Sequence, residues 1–477
     1  MDGNPDIDWN SILGELPRLD GRLAAARWPE LSAAVLASPP RAIRCHPDRP
    51  IEELPFAVDP VAWFPTAMHV VGPDVRPGAF LHHAAGDYYV QDAGSTLAVA
   101  LCQIRPGELV ADLCAAPGGK STAILELLRG AGWLMSNETI RSRFPVLEMA
   151  LQRSGYSNFG TTHSDIAALT GDWAGRFDCV LVDAPCSGQS MVGKQRQSFS
   201  AFKASHIALN AARQRRILRA AGCLIRPGGR LVYSTCTFSV EENERVVECF
   251  LSEEQGWELI SIPGFERWAV PGYPGCYRLW PHLDQVAGAF VAVLVKHADR
   301  SDVREWPHAV AAGEENSRRK QHHPRRHEKS RRPTSIDVLS RPPSVSWGSW
   351  SAIAREGLWW QEGQTLRYAP AEAASFHSVP SYRGFPVARR TSDGWLPTYG
   401  TARAAATLLA DYEQCQLSDT DACRYVAGGT MLVDGLPDGW RIVHWRGRPL
   451  SWTKVVGGRL KNHFPKPLRQ QATLALQ

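Results

Sequence analysis

The chain has 477 residues, more than one hydrophobic core usually organises, so two or three domains are expected. Apolar residues make up 44% and charged residues 21%, a mix that excludes a mostly disordered chain, and 40 glycines and 34 prolines follow no collagen-like period. The net charge of +5 is unevenly spread: Ser317 to Arg332 carries +7, Arg441 to Gln477 carries +8 with no acid, and the remainder sums to −10. Charge gathered into two places favours a polyanion partner such as nucleic acid over the plainer reading of a solvated linker and tail. The eleven cysteines include no Cys-x-x-Cys pair, so neither a disulfide framework nor a metal site is indicated, and a reducing cytoplasm fits. The run Ala289 to Val295 is too short to span a bilayer, and the opening Met-Asp-Gly-Asn-Pro-Asp has no leader features, so neither membrane nor secretion is expected.

In chain order, residues 1–90 hold short helical patterns, with helical spacing from Ser11 to Ala37 ended by Ser38-Pro39-Pro40. Residues 91–297 then alternate. A strand over Glu108–Asp112 precedes a helix over Ser121–Leu128, and a strand over Trp133–Ser136 precedes a helix over Thr139–Ser154. Val180–Asp183 reads as a strand, His206–Ala221 as a helix, Arg230–Ser234 as a strand and Val240–Ser252 as a helix. This is α/β text: βαβ units building a mostly parallel sheet with helices on both faces. Residues 298–345 are polar and basic, with almost no apolar period, and read as a flexible linker. Residues 346–477 are dense in Trp, with short strands between Gly and Pro turns, and predict a small β-rich domain. About half of those Trp residues are assigned to its own core.

The first strand runs into Leu113-Cys114-Ala115-Ala116-Pro117-Gly118-Gly119-Lys120-Ser121-Thr122 and then a helix. Ligands bind at the carboxyl ends of strands in an open parallel sheet. Glycines there admit close approach to the backbone, and the helix start offers free N–H groups. Two cofactors compete. Gly119-Lys120-Ser121 resembles the end of a phosphate-binding P-loop, with Val180–Asp183 as its Mg-binding strand, but that spacing requires Gly where this chain has Cys114. S-adenosylmethionine needs an acid at the end of the second strand for the ribose hydroxyls, which Glu138 supplies, and a further acid near the adenine, which Asp165 supplies. Either acid alone is an ordinary solvated carboxylate; their order on successive strand ends favours the cofactor.

Two cysteines follow two strand ends, in Asp183-Ala184-Pro185-Cys186-Ser187 and Ser234-Thr235-Cys236-Thr237. Most free cysteines are buried and inert, the fate assigned to Cys102, Cys179, Cys223 and Cys249. Cys186 and Cys236 should instead open onto the cofactor rim. Carbon-5 of a pyrimidine is a poor nucleophile, and a thiolate adding to carbon-6 makes it an enamine carbon that accepts a methyl group. One thiol must attack, a second can assist release, and Asp183 can bind the base edge. The attacking thiol needs thiolate character, for which Lys120 is a candidate cation. The residues alone do not rank the two thiols.

These segments together resemble the Nop/Sun family of RNA cytosine-5 methyltransferases. Asp112–Lys120, Asn137-Glu138, Asp165, Asp183–Ser187, Ser234–Ser239 and Glu241-Glu-Asn243 match in the family's order, and Tyr89-Val-Gln-Asp92 is similar to the segment ahead of its first strand. The resemblance implies a Rossmann-like class I methyltransferase sheet. It implies that Cys114, Ala115, Ala116, Pro117, Gly118, Gly119, Lys120, Glu138, Asp165 and Asp183 bind S-adenosylmethionine. It also implies that Cys236 is the nucleophile, Cys186 assists release and Asp183 completes the catalytic set. Leu417–Tyr425 and Gly439–Arg469 are similar to the C-terminal PUA-like domain of a bacterial subfamily acting on 16S ribosomal RNA, with Ser451-Trp452-Thr453-Lys454 where that subfamily usually has Gly-Trp-Gly-Lys.

The expected organisation is an α-rich RNA-binding extension (1–90), a methyltransferase domain (91–297), a basic linker (298–345) and a PUA-like RNA-binding domain (346–477). The expected function is cytosine-5 methylation of RNA, with small-subunit ribosomal RNA or the 30S subunit as partner and a cytoplasmic monomer as the form. A tRNA substrate and a non-catalytic ribosome assembly factor are the alternatives. Since the expected cofactor contacts lie before residue 184, removing residues 346–477 is expected to spare cofactor binding.

Overall fold

The computed structural model describes residues 7–19, 23, 27–49, 54–298, 336–376 and 382–470. The basic run Ser317 to Arg332 lies outside them. The N-terminal stretch opens with three short helices, Trp9–Leu13, Leu16–Leu19 and Trp28–Leu36, where the spacing predicted one helical region. Beyond them it is a sheet. Strands β1 (Ala42–Cys45), β2 (Val58–Pro60), β3 (Ala67–Val70) and β4 (Tyr88–Val90) pair antiparallel in the order β2-β3-β1-β4. Three- and four-residue strands are too short to show alternation, so they escaped the sequence reading.

The alternating region gives β5 (Leu109–Asp112), α1 (Gly119–Leu128), β6 (Trp133–Asn137), α2 (Phe144–Ser154), β7 (Phe159–Thr162) and β8 (Phe177–Asp183). It continues through α3 (Ala204–Leu224), β9 (Ile225–Thr235), α4 (Glu244–Glu253), β10 (Tyr273–Leu279) and β11 (Ala289–Lys296). Helix α2 starts five residues later than predicted, with a proline in its first turn. Strands β7-β6-β5-β8-β9 are parallel, and β11 then β10 add antiparallel beyond β9. This is the class I methyltransferase sheet. The chain order reverses between β5 and β8, which puts the ligand crevice at their carboxyl ends.

The C-terminal region joins this sheet. Strands β12 (Ile336–Leu339), β13 (Leu358–Glu362), β14 (Thr365–Ala369) and β15 (Arg383–Thr391) extend it beyond β7, with β15 antiparallel to β7 through Arg383 opposite Thr161 and Gly384 opposite Gly160. Ile336–Leu339, inside the stretch read as a linker, is therefore an edge strand paired with β13. The aromatic residues explain the junction. Tyr382 packs against Trp133, Trp173 and Trp360, ring centroids 5.6, 6.2 and 5.7 Å away, in one buried cluster shared by both halves. Six of the eight C-terminal Trp residues are buried (Trp347, Trp350, Trp359, Trp360, Trp445 and Trp452), more than the half assigned to packing. Gly160 is required here, because a Cβ would overlap the Tyr382 ring and lie 2.7 Å from Trp133 Cζ2. Gly160→Ala is expected to destabilise the fold by about 1–3 kcal/mol, checked by urea unfolding; an unchanged midpoint would mean that the two halves part easily.

A second curled sheet of β16 (Gln414–Leu417), β17 (Met431–Leu432), β18 (Gly439–Trp445), β19 (Arg448–Val456) and β20 (Arg459–Asn462) has the order β16-β18-β19-β20-β17. It docks on the N-terminal extension. Arg448 Nε donates to buried Asp87 at 3.0 Å, Asp87 also meets His82 Nδ1 at 2.8 Å, and the His82 and Trp445 rings lie 4.9 Å apart.

Candidate active site

Helix α1 begins directly after the β5 loop, so its first N–H groups face the crevice. Gly118 has φ +108, open to glycine at little strain, and its Cβ position lies 2.7 Å from Ala150 Cβ on α2. Its role is close packing of loop against helix. Arg44 on β1 fixes the same loop from the other side: buried, it donates to Gly119 O (2.9 Å), Thr122 Oγ1 (2.8 Å) and both Glu126 carboxylate oxygens (2.6 and 2.9 Å). Sequence reading missed Arg44, because nothing local marks one arginine in a short strand as a buried clamp.

Two cavities meet at the carboxyl ends of β5 and β8. One, of about 420 Å3, is lined by Cys114, Ala116, Glu138, Asp165, Asp183, Cys186 and Cys236, with Arg143, Arg213 and Arg216. The other, of about 710 Å3, lies between the extension and the sheet and is lined by Arg41, Tyr89, Lys194 and Arg196, with Cys114 to Pro117, Gly119, Lys120 and Asp183. Cys114, Ala116 and Asp183 border both. The predicted residues thus converge, except that Gly118 is turned toward α2. Arg213 and Arg216 were not singled out by sequence, because the orientation of α3 about its axis was not readable.

Glu138 follows β6 and is buried. Its Oε1 accepts from Ile140 N at 2.7 Å, while Oε2 faces Arg143 Nη1 at 3.3 Å with no hydrogen bond to it among the described residues. A buried carboxylate oxygen with free acceptor capacity, bordering a cavity, fits a ligand hydroxyl. Asp165 is exposed, caps the next helix through Ala167 N at 2.9 Å, and lines the same cavity.

Asp183 ends β8. Its Oδ2 accepts from Lys120 Nζ and its Oδ1 from Ser234 Oγ, both at 2.6 Å. Burial works against the Lys120 ammonium, but Asp183 outweighs it and raises the lysine pKa. Asp112, buried below the loop, accepts from Ser121 Oγ at 2.6 Å and is pushed up to about 7 by burial.

Cys186 and Cys236 place their sulfurs 3.3 Å apart. Cys236 is held below the ordinary thiol range, first by the hydrogen bond that Cys186 provides; Lys120 adds to this, while burial and Asp183 oppose it. Cys186 is held well above that range by the same bond, by burial, and by the charges of Cys236 and Glu242. Lys120 therefore acts on Cys236 as a secondary cation, and the neighbouring thiol is the larger influence. Of the four thiols assigned as buried, Cys102 and Cys179 are buried, whereas Cys223 is exposed and Cys249 half-buried. Helical periodicity alone did not fix which faces those two occupy. Among the described residues no group of acidic, histidine and cysteine side chains forms a metal site, and no helix is long and apolar enough to cross a membrane.

The family described as 16S rRNA methyltransferase RsmB/F matches residues 99–295, and the methyltransferase RsmF PUA domain matches residues 413–470. Ribosomal RNA small subunit methyltransferase F of Klebsiella pneumoniae is 30% identical over 429 residues, covering 88% of this chain and 86% of that protein. Its namesake from Cronobacter sakazakii is 28% identical over 433 residues, with the same shares covered. A solved methyltransferase homologue from Pyrococcus horikoshii superposes with a TM-score of 0.50 at 26% identity, covering 60% of this chain and 98% of that one.

Proposed function

Because the chain belongs to the ribosomal RNA small subunit methyltransferase F family, within the RsmB/F methyltransferases, we propose that it methylates carbon-5 of cytosine in 16S ribosomal RNA. The donor in this reading is S-adenosylmethionine, the nucleophile is Cys236, and Cys186 assists release. The observation that carries it is the pair of sulfurs 3.3 Å apart, on a rim bordered by Asp183 and Lys120.

The donor supplies an electrophilic methyl group when bound. Glu138 accepts from the ribose hydroxyls through its free oxygen, Asp165 faces the adenine, and Cys114 to Lys120 present small side chains and backbone. Charge-assisted hydrogen bonds contribute about 1.5–3 kcal/mol, so Glu138→Ala is expected to weaken S-adenosylmethionine about 10- to 100-fold. Calorimetry giving an unchanged affinity would place the ribose elsewhere.

The target base must reach Cys236 and Cys186, which line the smaller cavity with Arg213 and Arg216, while Arg41 and Arg196 on the adjoining larger cavity offer cations to flanking phosphates. Asp183 binds the edge of the base. The Cys236 thiolate adds to carbon-6, forming a sulfur–carbon bond and activating carbon-5. After methylation a water molecule at the rim takes the carbon-5 proton, the electron pair of that bond restores the carbon-5–carbon-6 double bond, the sulfur–carbon bond breaks and Cys236 leaves as its thiolate. The neutral Cys186 thiol beside it is placed to assist that last step. A 16S ribosomal RNA substrate puts the enzyme in the cytoplasm. Bisulfite sequencing of 16S ribosomal RNA from host cells with and without the gene tests the reading: one or more protected cytosines that vanish in the deletion support it, and identical profiles overturn it.

A further inference from the structure

Cys236 and Cys186 are held in different ways. Cys236 follows β9, and its turn is pinned by Thr235 Oγ1 donating to Asn243 Oδ1 at 2.6 Å, Asn243 Nδ2 to Thr237 O at 3.0 Å and Ser190 N to Cys236 O at 3.2 Å. Cys186 lies on an irregular segment after β8. The anchors on either side of it lead to one fully buried carboxylate, Glu242. Ser187 donates to it through both its backbone N, at 2.8 Å, and its hydroxyl. Gln214 on α3 donates Nε2 to Glu242 Oε2 at 2.9 Å and to Pro185 O at 3.0 Å. Thr237, next to Cys236, donates to Glu242 Oε1 at 3.2 Å. One carboxylate therefore joins the residue after each cysteine. A buried acid with four donors is a strong tie, whereas one lacking them would be costly to keep charged.

We propose that Glu242 is the positioning residue that holds the Cys186 turn against the Cys236 turn, so that Cys186 stands ready at the release step. The inference rests on the two-cysteine reading above. Without the carboxylate, the Cys186 segment loses both Ser187 donors and keeps only Gln214 on Pro185 O and Gln197 on Ser187 O, while the Cys236 turn loses one bond, from Thr237, and keeps β9, Asn243 and Ser190. Attack on carbon-6 then survives and release fails. Glu242→Gln keeps the size but sets an amide N–H₂ against donors at Ser187 N and Gln214 Nε2. The negative charge beside Cys186 also disappears, which lowers the pH at which that thiol ionises.

The test uses the full chain with a 16S ribosomal RNA transcript and S-adenosylmethionine, and reads the RNase-sensitive protein–RNA adduct that survives boiling in SDS. Wild type, Cys186→Ala, Glu242→Gln and Ser187→Ala are compared, with melting temperatures for each. Glu242→Gln is expected to raise the adduct about tenfold over wild type, Ser187→Ala less, and both to keep cofactor affinity within about twofold. In the free protein carrying Cys236→Ala, adding Glu242→Gln is expected to shift Cys186 alkylation to lower pH. Should Glu242→Gln fail to fold, Ser187→Ala carries the test. If Cys186→Ala traps adduct while folded Glu242→Gln and Ser187→Ala stay at the wild-type level, the positioning role is overturned and the two-cysteine reading stands. If Cys186→Ala itself traps nothing, both fall together.

Discussion

Cys236→Ala is expected to abolish methyl transfer, to less than a few per cent of wild type, while cofactor affinity stays nearly unchanged. In the proposed reaction the thiol makes the bond that turns carbon-5 into a nucleophile, and the neighbouring thiol is in the wrong form to replace it. Cys186 lies 3.3 Å away, but burial and the charge of Glu242 help hold it as a neutral thiol, the wrong form for attack. Glu138 and Asp165, proposed to hold the cofactor, follow β6 and β7, on strand ends separate from that of Cys236, and remain intact. Methyl incorporation into 16S ribosomal RNA and calorimetry with S-adenosylmethionine measure the two parts separately. Sizeable residual turnover would remove Cys236 from the role of nucleophile.

The second large effect separates two truncations. Removing residues 346–477 takes β15 away from β7 and strips Tyr382 and Trp360 from the cluster that contains Trp133 and Trp173. Each large buried aromatic lost from a core costs about 3–5 kcal/mol, against a total stability of about 5–15 kcal/mol. That truncation is expected to give insoluble protein, contrary to the expectation from sequence that cofactor binding would survive it. Removing residues 412–477 keeps every strand of the extended sheet but takes Trp452 from Trp347, ring centroids 5.3 Å apart, and Trp445 from His82. It is expected to fold with a lowered melting temperature, to bind cofactor within about twofold of the full chain, and to raise the RNA Michaelis constant strongly.

The curled sheet explains the RNA effect. Of the eight Lys and Arg residues from Arg441 onward, three face acids: Arg441 faces Glu413 at 3.9 Å, Arg446 pairs with Asp419 at 2.8 Å and Arg448 with Asp87 at 3.0 Å. Lys454, Arg459, Lys461, Lys466 and Arg469 have no carboxylate partner among the described residues. Lys454 sits directly opposite Lys461 on neighbouring strands, a like-charge pairing that disfavours the sheet unless an anion joins it. Lys454 also lies over the half-exposed Trp440 ring, 5.8 Å away. If all five lysines and arginines meet phosphates, deletion should flatten the salt dependence of binding by roughly 3.5–4.5 in log–log slope. Filter binding over a salt series checks this, and an unchanged slope would make the curled sheet a solubilising surface.

The candidate site was legible from sequence where its residues sit on strand ends. The loop Cys114 to Lys120, the acids Glu138 and Asp165 and the thiols Cys186 and Cys236 follow strands whose apolar runs are unmistakable, and the parallel topology brings those ends together. Contacts across long sequence separations were not legible. Tyr382 looked like part of a separate β domain, yet it completes a core more than two hundred residues upstream, because an aromatic side chain carries no signal of which sheet it will cover. Arg44 carried no local signal, and Glu242 stood only within the matching Glu241-Glu-Asn243 segment, with no role attached to it. Only the folded chain shows the first clamping the cofactor loop and the second tying the two cysteine turns together.

Release of tritium from carbon-5 tests the central claim most directly. A 16S ribosomal RNA transcript labelled with tritium at carbon-5 of its cytosines is incubated with the enzyme and S-adenosylmethionine, and tritium in water is counted alongside methyl groups incorporated. Addition of Cys236 to carbon-6 followed by methylation at carbon-5 predicts one tritium released for each methyl group gained, and neither with Cys236→Ala. Methyl incorporation with no tritium release would contradict it, placing the methyl on another atom and leaving the two cysteines without the role assigned to them.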